Sequence, residues 1–168
     1  MQQEMKSMVT GFVWFLLASM IPAVVHATGT GTEAGSLDNP GNVVKVYRSP
    51  SCGCCGAWMA HMKKNGFEIV DKPMAELADL KRRYQIPAQL RSCHTALVAG
   101  YIIEGHVPAG DIQRLLRERP KVAGVAVPGM PVGSPGMEAN GRRDSYQVFT
   151  FSTNGEIEVF QAHDADAK

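Results

Sequence analysis

Apolar and polar positions change their spacing repeatedly between residues 43 and 120, and this predicts strands and helices in turn. β-Branched residues in partial alternation favour a buried strand in VVKVYRS, residues 43–49. Leu77, Leu80 and Tyr84 share one face of a predicted helix in MAELADLKRRY. The predicted elements are, in order, a strand at 43–49, a helix at 54–64, a strand at 67–72, a helix at 74–84, two strands within 94–105 around Gly100, and a helix at 108–120.

This order of elements is typical of the thioredoxin-like α/β fold, in which helices flank a mixed sheet. The first strand–helix–strand unit implies a right-handed crossover and a parallel pair, and the strands around Gly100 add an antiparallel pair. Further along, residues 146–160 alternate in two runs on either side of Asn154 and Gly155. We expect them to form a C-terminal β-hairpin extension of the sheet, closed by a type I′ turn.

The two ends of the chain differ in composition from the part between them. Residues 1–27 combine Lys6, an apolar run at 9–22 and short side chains at Val25 and Ala27, which indicates a cleaved signal peptide. A membrane anchor is the alternative, but the apolar run is short and interrupted. The predicted organisation is a signal peptide at 1–27, a flexible leader at 28–42, a thioredoxin-like domain at 43–160 and a disordered tail at 161–168.

Composition narrows the classes of partner. Seventeen Lys and Arg residues against 16 Asp and Glu residues leave a formal charge of +1, so nothing indicates binding of nucleic acid or of an anionic membrane surface. About 140 residues remain after the predicted cleavage, which is enough for one domain with a core. Four cysteines are too few for a disulfide-stapled miniprotein.

Three of the four cysteines stand at the predicted start of the first helix, at Cys52, Cys54 and Cys55. In a thioredoxin-like fold the segment before the third strand passes beside this helix start, so Cys93 and His94 should join them. Unpaired N–H groups and the helix dipole favour thiolates at such a position and lower the thiol pKa. The site is therefore predicted to hold anionic sulfur.

Two kinds of chemistry are compatible with these thiols. Cys52 and Cys55 have the C-x-x-C spacing of a catalytic redox pair, which would make the protein a thiol-disulfide oxidoreductase of thioredoxin type. Cys54, together with Cys93 from the facing loop, could resolve or scramble such a disulfide, whereas a soft metal would use these extra thiols as ligands. Because Cys54 and Cys55 cannot easily bind one ion together, a small multinuclear Cu(I) site is favoured, with zinc and iron–sulfur as alternatives.

Two methionines and one histidine are candidate ligands in addition to the cysteines. Met130 and Met137 lie in 122–141, a stretch rich in Pro and Gly that is predicted to be a loop, and their thioethers are suitable for Cu(I). Gap filling in the core is the alternative role for both. His94 is a candidate terminal ligand, proton acceptor or hydrogen-bond partner of a thiolate, provided that the strand alternation breaks at Cys93.

Other residues of the same types are predicted to lie outside the site. The first helix is expected to bury its apolar side chains, and its histidine should point away from the cysteines into solvent. Two more histidines, in a loop and in the tail, have no partner that the sequence identifies. These residues are Trp58, Met59, Met62, His61, His106 and His163.

Three segments, SPSCGCCGAW, SCHTALVAGYIIEGHVP and VPGMPVGSPGME, together resemble the DUF411 family over about residues 43–160. The resemblance implies a thioredoxin-like fold and a cysteine-bridged cluster of several copper ions, with a role in periplasmic copper redox chemistry and copper resistance. The cysteines of the family correspond to Cys52, Cys54, Cys55 and Cys93, and its adjacent histidine to His94.

The expected partners are copper ions and a periplasmic redox or copper-handling protein, with no nucleic acid and no membrane after signal cleavage. The sequence leaves open whether the site is a copper oxidoreductase that turns over or a passive store or chaperone.

Overall fold

A computed structural model describes residues 41–165. The predicted signal peptide and nearly all of the predicted leader lie outside the described residues, as do residues 166–168. The elements are β1 (Val43–Arg48), α1 (Gly53–Lys64), β2 (Glu68–Pro73), α2 (Leu77–Arg83), a 3₁₀ turn (Ala88–Leu90), β3 (His94–Val98), β4 (Tyr101–Glu104), α3 (Ala109–Glu118), β5 (Gly124–Ala126), β6 (Tyr146–Phe151) and β7 (Ile157–His163).

The described strands form one mixed sheet of seven strands in the order β2-β1-β3-β4-β5-β6-β7. Strands β1 and β2 are parallel and are joined through α1, and β3 is antiparallel to both β1 and β4. The parallel pair β1–β2 and the antiparallel pair β3–β4 are those that the sequence predicts. The α/β class with a mixed sheet flanked by helices is confirmed.

One strand of the sheet, β5, is not predicted by the sequence. Residues 124–126 were predicted to be loop, yet β5 pairs parallel with β4 and antiparallel with β6. Gly124 permits this pairing, since a Cβ at that position would lie 2.0 Å from the Ile102 carbonyl oxygen. The C-terminal hairpin is confirmed, and it joins the sheet through β5.

A type I′ turn occurs between β3 and β4, and not between β6 and β7 where it was predicted. Such a turn needs positive φ at both central residues, and Ala99 (46°) and Gly100 (89°) provide it between β3 and β4. Between β6 and β7 the connection is longer: of Asn154 and Gly155, only Gly155 has a positive φ. The prediction of a type I′ turn at that point is therefore wrong.

Strand β7 continues to His163, three residues beyond the predicted end of the domain at Phe160. Residues 161–163 are therefore strand, although the sequence analysis assigned them to the disordered tail. Among residues 41–165 no helix has the length and apolar character needed to cross a lipid bilayer.

Side chains on the two faces of the sheet form two apolar cores. Ala96 and Ile103 belong to the larger core, which also contains the buried side of α1 and α3. Leu97 and Ile102, their neighbours along the strands, belong to a smaller core on the opposite face. The predicted burial of the apolar α1 residues Trp58, Met59 and Met62 is confirmed.

Candidate metal centre

The loop before α1 is held in place by Arg48. Its guanidinium donates hydrogen bonds to the carbonyl oxygens of Ser49 (3.1 Å) and Pro50 (3.2 Å), and it forms an ion pair with Asp71 at 2.7 Å. The Cys52 N–H donates to the Ser49 carbonyl at 3.1 Å, and α1 begins at the next residue. These bonds place the cysteines at the N-terminus of α1, as predicted.

The second part of the site is the bend before β3. The Ser92 N–H donates to a carboxylate oxygen of Glu104 at 2.6 Å, which fixes the backbone next to Cys93. Gly105 has a φ of 74°, and a Cβ there would lie 2.6 Å from both the Ser92 Cβ and the Val127 carbonyl oxygen. Only glycine lets these segments approach so closely, and this places Cys93 beside the cysteines of α1.

The Sγ atoms of Cys52, Cys54, Cys55 and Cys93 all lie within 4.8 Å of one another. Cys52 and Cys55 form a disulfide, and Cys54 and Cys93 are free. The Cys54 Sγ lies 3.5 Å from that of Cys52, and the Cys93 Sγ lies 3.7 Å from that of Cys55. Cys55 is buried and the other three are partly exposed. The fold thus brings together the four cysteines that the sequence singled out.

Two histidines contact the Cys93 sulfur, and the three residues form what we call the cysteine–histidine cluster (Cys93, His94, His106). The Cys93 Sγ lies 3.3 Å from His94 Nδ1 and 3.0 Å from His106 Nε2. Cys93 lies in a bend, so strand alternation is broken there and both Cys93 and His94 reach the site, which was the condition for His94 as a candidate ligand. The sequence identified no partner for His106, and its predicted position outside the site is wrong.

The tautomer of His106 follows from its second contact. His106 Nδ1 lies 2.8 Å from the Pro135 carbonyl oxygen, which can only accept, so Nδ1 carries the proton. The lone pair of Nε2 therefore points to the Cys93 sulfur. A carbonyl that orients the far nitrogen in this way is typical of histidines that bind metal ions.

His94 is held by aromatic contacts. Its side chain is fully buried and its ring centroid lies 4.4 Å from that of Trp58, whose Nε1–H donates to the Val107 carbonyl at 2.9 Å. The His94 Nε2 atom is buried and has no hydrogen-bond partner among the described residues. An unpaired buried nitrogen costs free energy, and a ligand at this position would remove that cost.

Burial controls ionisation in this cluster. It raises the pKa of the Cys93 thiol to about 12, and the neighbouring Cys54 acts in the same direction. It lowers the pKa of His94 well below its usual value, with smaller contributions from His106 and Lys81, and it lowers the pKa of His106. The lowered thiol pKa predicted from the helix N-terminus does not apply to Cys93, which lies on the strand side. A metal ion would have to displace the thiol proton.

A second set of buried polar groups lies on the other face of the same strands, and we call it the lysine–glutamate cluster (Lys81, Thr95, Glu104). Lys81 Nζ donates to Thr95 Oγ1 at 3.1 Å and forms an ion pair with Glu104. Thr95 Oγ1 donates to Glu104 at 2.6 Å. Burial raises the pKa of Glu104 although its hydrogen-bond donors act in the opposite direction.

The predicted methionine ligands belong to the segment after β5. Met130 is 51% exposed, whereas Met137 is partly buried. Gly136 lies against the backbone at the start of α1. A Cβ on Gly136 would lie 2.6 Å from the Trp58 backbone nitrogen and 2.9 Å from the Cys54 carbonyl oxygen. The segment therefore lies beside the cysteines, and metal binding by either thioether stays a prediction.

The two remaining histidines have structural partners. His61 is partly buried, and its Nε2 accepts a hydrogen bond from the Ala109 N–H at the start of α3. His163 Nε2 lies 2.7 Å from an Asp111 carboxylate oxygen, and its ring stacks on Tyr146. The sequence identified no partner for His163, and His61, which was expected to point into solvent, is instead partly buried against the start of α3.

Comparisons with known proteins agree with one another. A family model described as "Protein of unknown function, DUF411" matches residues 90–137. Two solved structures of a protein named "Copper resistance protein copG", Form 1 and Form 2, are 44% and 45% identical to the chain, each with a TM-score of 0.69. The matches cover 73% and 72% of this chain and 97% of each of the others. No curated protein matches the chain.

Proposed function

The chain belongs to the DUF411 family and is a relative of the copper resistance protein CopG, and from this premise we propose that it binds copper through a cysteine-bridged multinuclear Cu(I) site. The observation that carries the proposal is the gathering of four cysteine sulfurs within 4.8 Å of one another at the start of α1. Its expected role is copper resistance, including conversion between Cu(I) and Cu(II).

The donor set favours copper over harder metals. Thiolates and imidazoles are ligands for Cu(I), which accepts low coordination numbers and shared thiolates. Cys93 belongs both to the group of four cysteines and to the cysteine–histidine cluster, so its sulfur is placed to bridge two ions. His106, with its Nε2 lone pair free to bind, is a further candidate ligand beside the predicted His94, Met130 and Met137.

The disulfide limits loading. In the oxidised protein, Cys54 and Cys93 are the free thiols, so reduction of the Cys52–Cys55 bond must precede binding by all four sulfurs. Reduction would thus load the site and oxidation would release or convert its copper. We place this chemistry in the periplasm, after cleavage of the predicted signal peptide at 1–27, with a redox or copper-handling protein as partner.

Anaerobic titration of the reduced protein with Cu(I), against a competing chelator, tests the proposal. We expect more than one Cu(I) per chain. The matched control replaces all four cysteines with serine and should bind none with comparable affinity. A stoichiometry of one, or equal affinity in the control, would contradict the cluster.

The Cys52–Cys55 disulfide supports a second candidate function, that of a thiol-disulfide oxidoreductase with these two cysteines as the catalytic pair. The variant Cys54→Ser separates the two functions. A disulfide enzyme should keep its reductase activity in this variant, whereas a bridged copper site should lose much of its copper. Both quantities are measured on the same preparation.

A further inference from the structure

We propose that Cys93 and His106 form a nucleophilic pair that moves the Cys52–Cys55 disulfide within the metal-free protein. The Cys93 sulfur attacks Cys55 Sγ, a Cys55–Cys93 disulfide forms, and Cys52 leaves as a thiolate. The number of disulfides is unchanged, so no external oxidant or reductant is needed. The exchange is an activity of the protein without copper and does not depend on the proposed function.

The distances make Cys93 the attacking thiol. Its Sγ lies 3.7 Å from the Cys55 Sγ and 3.0 Å from His106 Nε2. The Pro135 carbonyl holds the proton on the other ring nitrogen, so the Nε2 lone pair faces the thiol and accepts its proton as the new S–S bond forms. Burial disfavours both the free thiolate and the imidazolium, which makes the exchange slow. The leaving Cys52 thiolate then takes a proton from His106 or from water, which completes the proton balance.

Cys54 is the other free thiol, with its Sγ 3.5 Å from that of Cys52. Attack by Cys54 would close a disulfide between two residues separated only by Gly53, at the start of a helix, which is poor geometry for the bond. Attack by Cys93 instead links two separate segments of the chain. The structure therefore favours exchange through Cys93.

Alignment of the three sulfurs is an unfavourable equilibrium that precedes the exchange. Because all four sulfurs lie within 4.8 Å of one another, Cys93 is not in line with the Cys52–Cys55 bond. A rotation of the Cys55 or Cys93 side chain must bring the three sulfurs into line before the exchange. We therefore expect a slow equilibrium between two disulfide isomers.

The product differs from the starting state in which thiols are exposed. The new disulfide would contain Cys55, which is buried, while Cys52 and Cys54 are partly exposed. Both thiols would then be free at the surface of the site, where they could bind one Cu(I) ion between them. Exchange would thus open the oxidised protein to a first ion before any reductant acts.

Disulfide mapping in a Cys54→Ser background tests the proposal without copper. The oxidised protein is alkylated under native conditions, digested without reduction and analysed by mass spectrometry. We expect the label on Cys52 together with a Cys55–Cys93 disulfide. A label on Cys93 alone, with the Cys52–Cys55 disulfide intact, would overturn the proposal and leave the copper titration unaffected.

Two further variants in the same background identify the pair. Cys93→Ser should abolish labelling of Cys52, and persistent labelling would mean that Cys93 is not the nucleophile. His106→Gln should slow Cys52 labelling by about a hundredfold, which is within the range for loss of a general base. His61→Gln, on α1 and outside the cluster, is the matched control. Equal rates in the two histidine variants would exclude His106 from the reaction.

Discussion

The lysine–glutamate cluster and the cysteine–histidine cluster lie on the two faces of one hairpin, at the end away from its turn, and differ in completeness. In the first, every charged group has a partner: Lys81 bonds Thr95 and Glu104, and Glu104 also accepts from Thr95 and the Ser92 N–H. In the second, His94 Nε2 has no partner within residues 41–165. We therefore expect the complete cluster to serve the fold and the incomplete one to be available for ligands and chemistry.

The two clusters are also connected. The Ser92 N–H that donates to Glu104 directly precedes Cys93, so the complete cluster fixes the backbone of the incomplete one. The backbone held in this way keeps Cys93 beside His106 and Cys55, while the Cys93 side chain can still rotate about its Cα–Cβ bond. Structural and chemical roles are thus divided between neighbouring residues of β3 and β4.

The largest effect on this comparison should come from Glu104→Gln. The change leaves Lys81 buried without a negative partner, and removing one partner of a buried pair costs about 3 to 5 kcal/mol. Urea unfolding of the metal-free protein measures it. The control is Asp71→Asn, which breaks the exposed Arg48 pair and should cost much less. Equal losses in the two variants would show that the buried cluster does not stabilise the fold.

Copper should complete the second cluster. Free Cu(I) at about a thousand times its dissociation constant should raise the free energy of unfolding of the reduced protein by about 4 kcal/mol, because only the folded state gathers the ligands. A Cu(I) chelator should reverse the gain. Cys93→Ala should lose more of this gain than Met130→Ala, since Cys93 belongs to both ligand groups. Equal gains in the two variants would argue against Cys93 as a central ligand.

Lowering the pH should decrease the free energy of unfolding of the metal-free protein through the same cluster. The pKa of His94 is lowered in the folded state, so the unfolded chain binds its proton first as pH falls below about 6.5. The contribution of His94 to the free energy of unfolding is therefore fully present above that pH. Below it, this contribution falls by up to about 1.4 kcal/mol per pH unit. Urea unfolding at several pH values measures the slope. His94→Phe should make it shallower, and an unchanged slope would contradict this reading.

The smallest effect concerns the unpaired nitrogen itself. At pH 7.5, His94→Phe should raise the free energy of unfolding of the metal-free protein by about 1 kcal/mol, because an aromatic ring without polar atoms removes a buried unsatisfied group. Thermal and urea unfolding both report it. Trp58→Phe, which removes a satisfied donor from the same aromatic contact, should instead destabilise the protein. Destabilisation by His94→Phe would indicate that the His94 contact with Cys93 outweighs the unpaired nitrogen.

The sequence predicts the elements from β1 to α3 because each has a long enough apolar pattern. Strand β5 was missed because three residues have no period, and its pairing depends on strands far along the chain. The type I′ turn was predicted at Asn154 and Gly155 because Asn-Gly is the preferred pair for it. The register of β6 and β7 leaves a longer connection there. Local turn preference was overridden by the pairing.

Spacing and fold together were sufficient to gather the four cysteines, while His106 required the strand register. Thr95 pairs with Glu104, so two residues further out Cys93 comes opposite His106. Counting outward from the predicted turn at Gly100 would have revealed this contact. No comparable signal exists for Lys81 and Glu104, because charged residues in helices and strand ends are ordinarily exposed and their burial depends on tertiary packing.

Gly105 limits how this chain can vary. It has no functional group, yet any side chain there would push against Ser92 and Val127 and move Cys93 away from His106. In a saturation mutagenesis library selected for growth in copper, substitutions at this position should be depleted as strongly as those of the cysteines. The evolution of this site is therefore constrained by the lack of a side chain at Gly105 as much as by the proposed ligands.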